Sequence, residues 1–158
     1  MSININQFSQ TSLPGQLDLK SGGLDTSFTL RIDPDSAATD ILTGTGLVPV
    51  DGGANDTNGV PLCDVLSADT VTPFGALIHN SKKGSYQPGD IVQVSYDGCV
   101  QRMEAAGALA RWATVALDVL NPGQVQASGT DATFGRTLDK ATAAGDIIRI
   151  LVKVSDSP

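Results

Sequence analysis

A run of alternating apolar residues near the end of the chain constrains the fold most strongly. Every second residue from 148 to 154 is apolar, and Arg149 and Lys153 lie between them. Successive side chains of a β-strand point to opposite faces of a sheet, so this run predicts a strand with one buried face. The apolar set is Ile148, Ile150, Val152 and Val154.

Two earlier stretches show the same alternation. Residues 27–32 alternate and stop at Asp33-Pro34, because proline lacks the N–H that a sheet ladder requires. Residues 91–96 follow a turn at Pro88-Gly89-Asp90 and again place apolar side chains on one face. Both stretches are predicted to be strands.

The middle of the second half is less regular. Asp97-Gly98 predicts a tight hairpin whose return strand is 99–104, since both residues tolerate positive φ. Residues 101–120 have a helix-compatible composition, but alternation in their second half favours a strand at about 113–120. A turn at Asn121-Pro122-Gly123 follows this strand.

Short strands separated by turns at roughly 8–12-residue spacing are typical of a β-sandwich or barrel. We therefore expect an all-β protein, a small sandwich or barrel, with a jelly-roll arrangement as one option. The β domain is predicted to span 24–158, with a loop-rich acidic part at 24–75 and a regular β part at 76–158. No repeat of fixed period is visible in the sequence.

Acidic residues are concentrated in the first half of the chain. The formal net charge is −7, and residues 1–75 account for all of it, with nine Asp against Lys20 and Arg31. Residues 76–158 hold eight acids and eight bases. A field of this sign disfavours nucleic acid as a partner, and it fits a solvated surface or a basic protein partner.

Neither a membrane segment nor a secretory signal is expected. No apolar run approaches the roughly 20 residues that cross a bilayer. The N-terminus lacks the basic and apolar regions of a signal peptide, which predicts a protein made and used in a cytoplasm.

Residues 1–23 are predicted to form an extended N-terminal arm, with a frayed terminus as the alternative. The segment is polar but contains spaced apolar residues and a turn signal at Leu13-Pro14-Gly15-Gln16. Such an arm can lie along a partner surface. The predicted partner-binding residues are Ile3, Ile5, Phe8, Leu13, Pro14, Gly15 and Leu17.

The sequence offers little metal chemistry. Cys63 and Cys99 lack CxxC or zinc-ligand spacing, which favours reduced, buried thiols, although the sequence leaves a disulfide between them open. With His79 they would supply three ligands without motif spacing. Residues 51–59 have the composition of a calcium loop but lack its alternating Asp frame and closing Glu. We therefore expect neither a metal nor a cofactor.

Catalytic signals are equally weak. His79 is the single histidine and no nucleophile motif accompanies it. Asp33 and Asp35 could form a carboxylate pair, but aromatic residues that would bind a sugar are few. Trp112 is expected to pack in the core or at a subunit contact. The chain is therefore predicted not to be an enzyme, and a hydrolase site built on Asp33, Asp35 and His79 ranks last.

Four sequence features of the second half occur together. They are the turn and strand "PGDIVQV" from Pro88, the Asp97-Gly98 turn, the Ala/Gly segment 105–110, and the closing phrase "ATFGRTLDKATAAGDIIRILV". This combination is similar to the small β proteins that decorate or cement the capsids of tailed bacteriophages. The resemblance covers about residues 76–154, and Leu13-Pro14-Gly15-Gln16 also resembles the N-terminal part of that family. The chain departs from the pattern at Arg111-Trp112, where a second small residue is expected.

The resemblance implies a non-enzymatic virion protein that binds the outer surface of the capsid and stabilises it. It implies the major capsid protein as partner, a homo-oligomer (dimer or trimer) at symmetry axes, and synthesis in the host cytoplasm. Strand edges and the arm would supply the contacts by strand addition. A carbohydrate- or receptor-binding β module of a phage fibre or tail is the alternative.

Overall fold

The protein is built from short β-strands. The computed structural model describes residues 16–17, 27–50, 53–78 and 83–155, and these residues contain no helix. The strands are β1 (Gln16–Leu17), β2 (Ser27–Ile32), β3 (Ile41–Leu42), β4 (Gly46–Pro49), β5 (Leu62–Val65), β6 (Gly75–Ala76), β7 (Ser85–Tyr86), β8 (Ile91–Ser95), β9 (Val100–Ala105), β10 (Thr114–Leu117), β11 (Gln124–Ala127), β12 (Thr133–Thr137) and β13 (Ile147–Ser155). The prediction of an all-β small barrel or sandwich is confirmed.

Five strands of the first part of the chain curl into a ring, called barrel N here (β2, β4, β5, β6 and β8). Their order in the sheet is β6-β4-β5-β2-β8. The ring closes where Leu77, directly after β6, bridges Val94 in β8. The Ile78 N–H donates to the Gln93 carbonyl at 2.9 Å beside this bridge. Closure pairs backbone groups that an open sheet would leave exposed at its edges.

The last five strands form a second ring, called barrel C here (β9 to β13). Their order is β9-β11-β10-β12-β13, and β13 pairs back onto β9. β1 adds to this barrel alongside β9, where Gln16 lies opposite Arg102 and Leu17 opposite Gln101. The chain thus uses a short N-terminal strand to extend the pairing of β9.

The two barrels share one topology and one register. In each, the first strand pairs in parallel with the third, and every other pairing around the ring is antiparallel. Positions that correspond between barrel N and barrel C are Leu30 and Met103, Leu47 and Val115, Val65 and Ala127, Gly75 and Gly135, and Val92 and Ile148. The fold is therefore an internal duplication of one five-stranded unit.

The turn before the last strand is duplicated as well. Gly89 and Gly145 have φ of 86° and 90°, and each is followed by Asp-Ile. The Gly89 N–H donates to the Ile32 carbonyl at 2.9 Å, and the Gly145 N–H donates to the Ala105 carbonyl at 2.9 Å. Positive φ at this position favours glycine, which explains why the residue type recurs.

The barrels pack against each other through closely approaching backbone. A Cβ added at Gly44 of barrel N would lie 2.4 Å from the Cα of Gly123 in barrel C. A Cβ added at Gly46 would lie 2.8 Å from the Leu117 side chain. The Gln101 amide donates to the Leu77 carbonyl at 3.5 Å across the same contact. We call this contact the internal junction.

The predicted hairpin at Asp97-Gly98 is wrong. β8 pairs with β2, whereas β9 pairs with β13, so the turn links the two barrels. The Cys99 N–H donates to the Tyr96 carbonyl at 3.2 Å, and only Gly98 of the two central residues has positive φ. This is the geometry of a type II turn, whereas the two-residue hairpin predicted here would be a type I′ turn with positive φ at both positions.

The other strand predictions are confirmed. The predicted strands at 27–32, 91–96, 113–120 and 146–154 correspond to β2, β8, β10 and β13. Buried residues form one cluster in barrel N and one centred on barrel C, and the latter includes Leu66 and Ala76 from barrel N. The boundary of the arm at residue 23 and the division at residue 75 stay predictions.

Two corresponding glycines, Gly75 and Gly135, allow the fourth and fifth strands of each ring to approach closely. A Cβ at Gly135 would lie 2.4 Å from the Leu151 carbonyl oxygen, and a Cβ at Gly75 would lie closer still to the Ser95 carbonyl oxygen. We expect Gly135→Ala to lower the free energy of unfolding by about 1–3 kcal/mol, since overpacking of this kind forces the backbone to shift. Urea unfolding followed by circular dichroism measures it.

The matched control is Gly107→Ala, because a Cβ there meets no atom within 4 Å. A Gly135→Ala protein as stable as the Gly107→Ala protein would show that closure does not depend on this approach.

Candidate interaction surfaces

The predicted partner-binding residues lie at the start of the chain. Ile3, Ile5, Phe8, Leu13, Pro14 and Gly15 lie outside the described residues. Leu17 is in β1, where it pairs with Gln101 of the same chain. The arm therefore contributes a strand to barrel C, and contact of the other residues with a partner stays a prediction.

An apolar groove opens on barrel N. It has a volume of about 110 Å³. Phe28 is 48% exposed there, although the alternation of β2 placed it with the buried Leu30. In barrel C, β1 lies beside β9. In the described part of the chain, no strand takes the corresponding position beside Phe28 and Thr29 of β2. The groove is lined by Phe28, Leu30, Pro49, Pro61, Leu62 and Phe74.

Three aromatic rings form a cluster at the rim of this groove. Phe28 and Phe74 contact edge to face at 5.5 Å between centroids. Tyr96 lies 5.0 Å from Phe28 and 5.3 Å from Phe74. Phe28 and Tyr96 are exposed, so the cluster presents apolar surface that a partner could cover.

Trp112 is also exposed, and its backbone conformation is unusual. Its side chain is 56% exposed, so the expectation that it packs in the core of the chain is wrong. Its φ of 65° is in the left-handed region, which costs a residue with a side chain roughly 1–2 kcal/mol. Backbone strain of this kind is found most often at functional positions.

The candidate metal and catalytic residues are engaged in local structure or lie outside the described residues. His79 belongs to the latter, as does Asp51. Asp33 accepts a hydrogen bond from the Asp35 N–H at 2.9 Å, which is a turn interaction. The described residues contain no group of three His, Cys, Asp or Glu side chains that could hold a metal ion.

Asp56, in the candidate calcium loop, is also engaged in local structure. Its carboxylate accepts hydrogen bonds from the Val60 and Asn58 amides and from Arg31. These bonds hold the pKa of Asp56 below its ordinary value, and the bond from the Val60 amide has the largest effect. The carboxylate therefore serves to fix the loop.

Both cysteines are buried and unpaired. Burial raises the pKa of the Cys63 thiol to about 12, and Asp64 and Asp33 add to the effect. Burial likewise raises the pKa of Cys99 to about 11. The structure agrees with the sequence interpretation of two reduced, buried thiols.

Sequence reasoning missed the groove and the conformation of Trp112. Leu62, Pro61 and Pro49 were assigned to loops and short strands, and nothing in their spacing indicates a shared cavity. The one available signal was Arg111-Trp112, where the chain departs from the capsid-protein pattern.

Comparison with known proteins identifies a shared fold. No family model matches the sequence, and no curated protein matches it. Among solved structures, the chain is similar to the N base of the head fiber gp8.5 of bacteriophage phi29, with a TM-score of 0.52 and 15% sequence identity. The match covers 84% of this chain and 98% of that chain. At this identity the likeness establishes the fold alone.

Within the described residues, no helix is long and apolar enough to cross a membrane.

The buried thiols give a direct test of the packing around them. We expect both cysteines to react with a thiol-specific disulfide reagent at pH 8 far more slowly in the folded protein than in denaturant, because the thiolate form is suppressed. Because the unfolded thiols ionise at a lower pH than the buried ones, unfolding becomes easier at high pH. The contribution of the neutral thiols to the free energy of unfolding should therefore be present below their ordinary pKa of 9.0 and be lost as the pH rises above it.

Absorbance of the released reagent measures the rate. Reaction of either cysteine at the rate of an unfolded control would contradict the burial of that thiol.

Proposed function

We propose that this chain is a structural protein of tailed-phage virions that binds the outer surface of the head and stabilises it. The observation that carries the proposal is the fold likeness to the base of a phage head fiber along nearly the whole of that chain. The sequence resemblance to capsid decoration proteins over residues 76–154 supports the same location. On this proposal the protein acts by adhesion and not by catalysis.

The major capsid protein is the proposed partner. Residues 1–17 contain no charged side chain and include the spaced apolar residues of the arm. β1 illustrates that this part of the chain can pair with strand backbone that its neighbours leave free, here the part of β9 that β11 does not pair. We propose that the residues before β1 pair with capsid subunits in the same way. Repetition of weak contacts over the head would give firm attachment by avidity.

The acidic first part of the chain supports the choice of a protein partner. Its negative charge would be attracted to basic patches on a capsid subunit and would oppose contact with nucleic acid. We propose location on the virion surface after synthesis in the host cytoplasm.

A carbohydrate- or receptor-binding role in a phage fibre is the second candidate. Two observations favour it, the fiber likeness itself and the exposed aromatic cluster of Phe28, Phe74 and Tyr96. Aromatic rings present an apolar face that can pack on a sugar. Binding to a glycan array without binding to heads would favour this role over the first.

Co-sedimentation with phage heads tests the arm contact. We expect the triple variant Ile3→Ser, Ile5→Ser, Phe8→Ser to bind purified heads at least about tenfold more weakly, because the apolar anchors of the arm are lost. Circular dichroism should be unchanged, since β1 and both barrels are retained.

The matched control alters the polar neighbours Asn4→Ser, Asn6→Ser and Ser9→Ala and should bind like the unmodified protein. Equal binding by both triple variants would remove the arm from the proposal. Failure of the unmodified protein to bind heads would remove the capsid role itself.

A further inference from the structure

The internal junction covers a surface of barrel C that has a counterpart on barrel N. In barrel C, the backbone of Gly123 and the Leu117 side chain lie against Gly44 and Gly46 of barrel N. Register identifies the corresponding residues of barrel N. Leu117 corresponds to Pro49, because they lie opposite Val125 and Cys63 in the same pairing.

The counterpart of this covered surface is the apolar groove. Gly123 corresponds to Pro61, because their carbonyls accept at 3.0 Å from the matching residues Glu104 and Arg31. The six groove residues and their barrel C counterparts are Phe28 and Gln101, Leu30 and Met103, Pro49 and Leu117, Pro61 and Gly123, Leu62 and Gln124, and Phe74 and Phe134.

The exposure of the two surfaces differs sharply. Gln101 and Phe134 are both 0% exposed in barrel C, where barrel N and β1 lie nearby. Their counterparts Phe28 and Phe74 are respectively exposed and half-buried. Within the described residues, this surface is therefore covered on barrel C and open on barrel N.

The other side of the junction also has an open counterpart. Gly44 corresponds to Trp112. The Gly44 N–H donates to the Leu77 carbonyl at 2.8 Å, and the Trp112 N–H donates to the matching carbonyl of Thr137 at 2.9 Å. Both residues have positive φ, 82° and 65°. Gly44 is buried in the junction, whereas Trp112 is exposed on barrel C. The residues Trp112, Thr114 and Arg136 are the counterparts of Gly44, Gly46 and Ala76. Together we call them the Trp112 face.

Charge favours contact between unlike barrels. Residues 27–98 hold nine acidic and three basic side chains, a formal charge of −6. Residues 99–155 hold five acidic and six basic side chains, a formal charge of +1. Pairing of two barrels N would place like charges together, whereas barrel C against barrel N would not.

We propose that copies of this chain associate head to tail, with the Trp112 face of one copy docked in the apolar groove of the next. The contact pairs the same two surfaces as the internal junction. Gly44 leaves no room for a side chain against Gly123 within the chain, whereas the groove beside Pro61 is open to the Trp112 indole of another copy. Such a contact uses two different surfaces, so it closes into a ring or continues as a filament. Apolar lining and an aromatic anchor are typical of the centre of a protein interface.

This inference concerns the free protein and is tested without phage particles, so it stands or fails separately from the capsid role. Two variants copy the counterpart residue from the other barrel. Trp112→Gly restores the residue type of Gly44 and relieves the left-handed strain. Phe28→Gln installs the residue type of Gln101. Sedimentation velocity is expected to show that each variant alone has an association constant at least about 30-fold below that of the unmodified protein.

Mixing the two variants gives the sharpest result. The Trp112→Gly chain keeps an intact groove, and the Phe28→Gln chain keeps an intact Trp112 face. We therefore expect one-to-one dimers in the mixture at concentrations at which neither variant alone associates. Because Trp112 is the single tryptophan, its fluorescence should shift to the blue as dimers form.

Ile91→Ser is the matched control, because Ile91 is 61% exposed and lies in neither surface. It should associate like the unmodified protein. Leu62→Gln provides a second groove variant if Phe28→Gln does not fold. A monomeric unmodified protein at every concentration, or association that survives both Trp112→Gly and the groove variants, would overturn the proposal. A mixture that fails to dimerise while the unmodified protein associates would also overturn it.

Discussion

Ring closure of the backbone hydrogen bonds is the constraint on which this structure depends. The strands are two to nine residues long, and strands this short have little stability unless both edges are paired. Closure requires the fourth and fifth strands of each unit to approach closely, and Gly75 and Gly135 make that approach sterically possible. The same glycine in both units indicates that the requirement is a property of the unit itself.

Duplication of a closed unit explains where the exposed apolar surface of the protein comes from. One unit packs on the other through a junction in which Gly44 approaches Gly123. Each unit carries both surfaces that form such a junction. Two units in tandem form one junction, so one copy of each surface is not used in it. The exposed groove at Phe28 and the exposed Trp112 are these two unused surfaces. Exposed apolar area of this kind fits a protein that works in an assembly.

Local signals in the sequence predicted the strands with the clearest alternation and most of the turns. The alternation of β13 and the Pro-Gly turns at Gly89 and Gly123 determine backbone conformation within a few residues, so they could be read directly. The turn at Asp97-Gly98 was misread because its sequence does not state which strands it joins. The duplication was invisible because corresponding residues such as Phe28 and Gln101 differ in type and the loops differ in length. Register, which only the folded chain displays, was needed to match them.

On the proposed function, the protein covers phage heads by repeating between chains the junction that holds its own two barrels together. Cryo-electron microscopy of phage heads incubated with the protein is the most direct test of this proposal. We expect density on the outside of the head in which the Trp112 indole of each copy lies in the groove at Phe28 of its neighbour. Heads without the protein, or copies bound singly with Trp112 facing solvent, would contradict it.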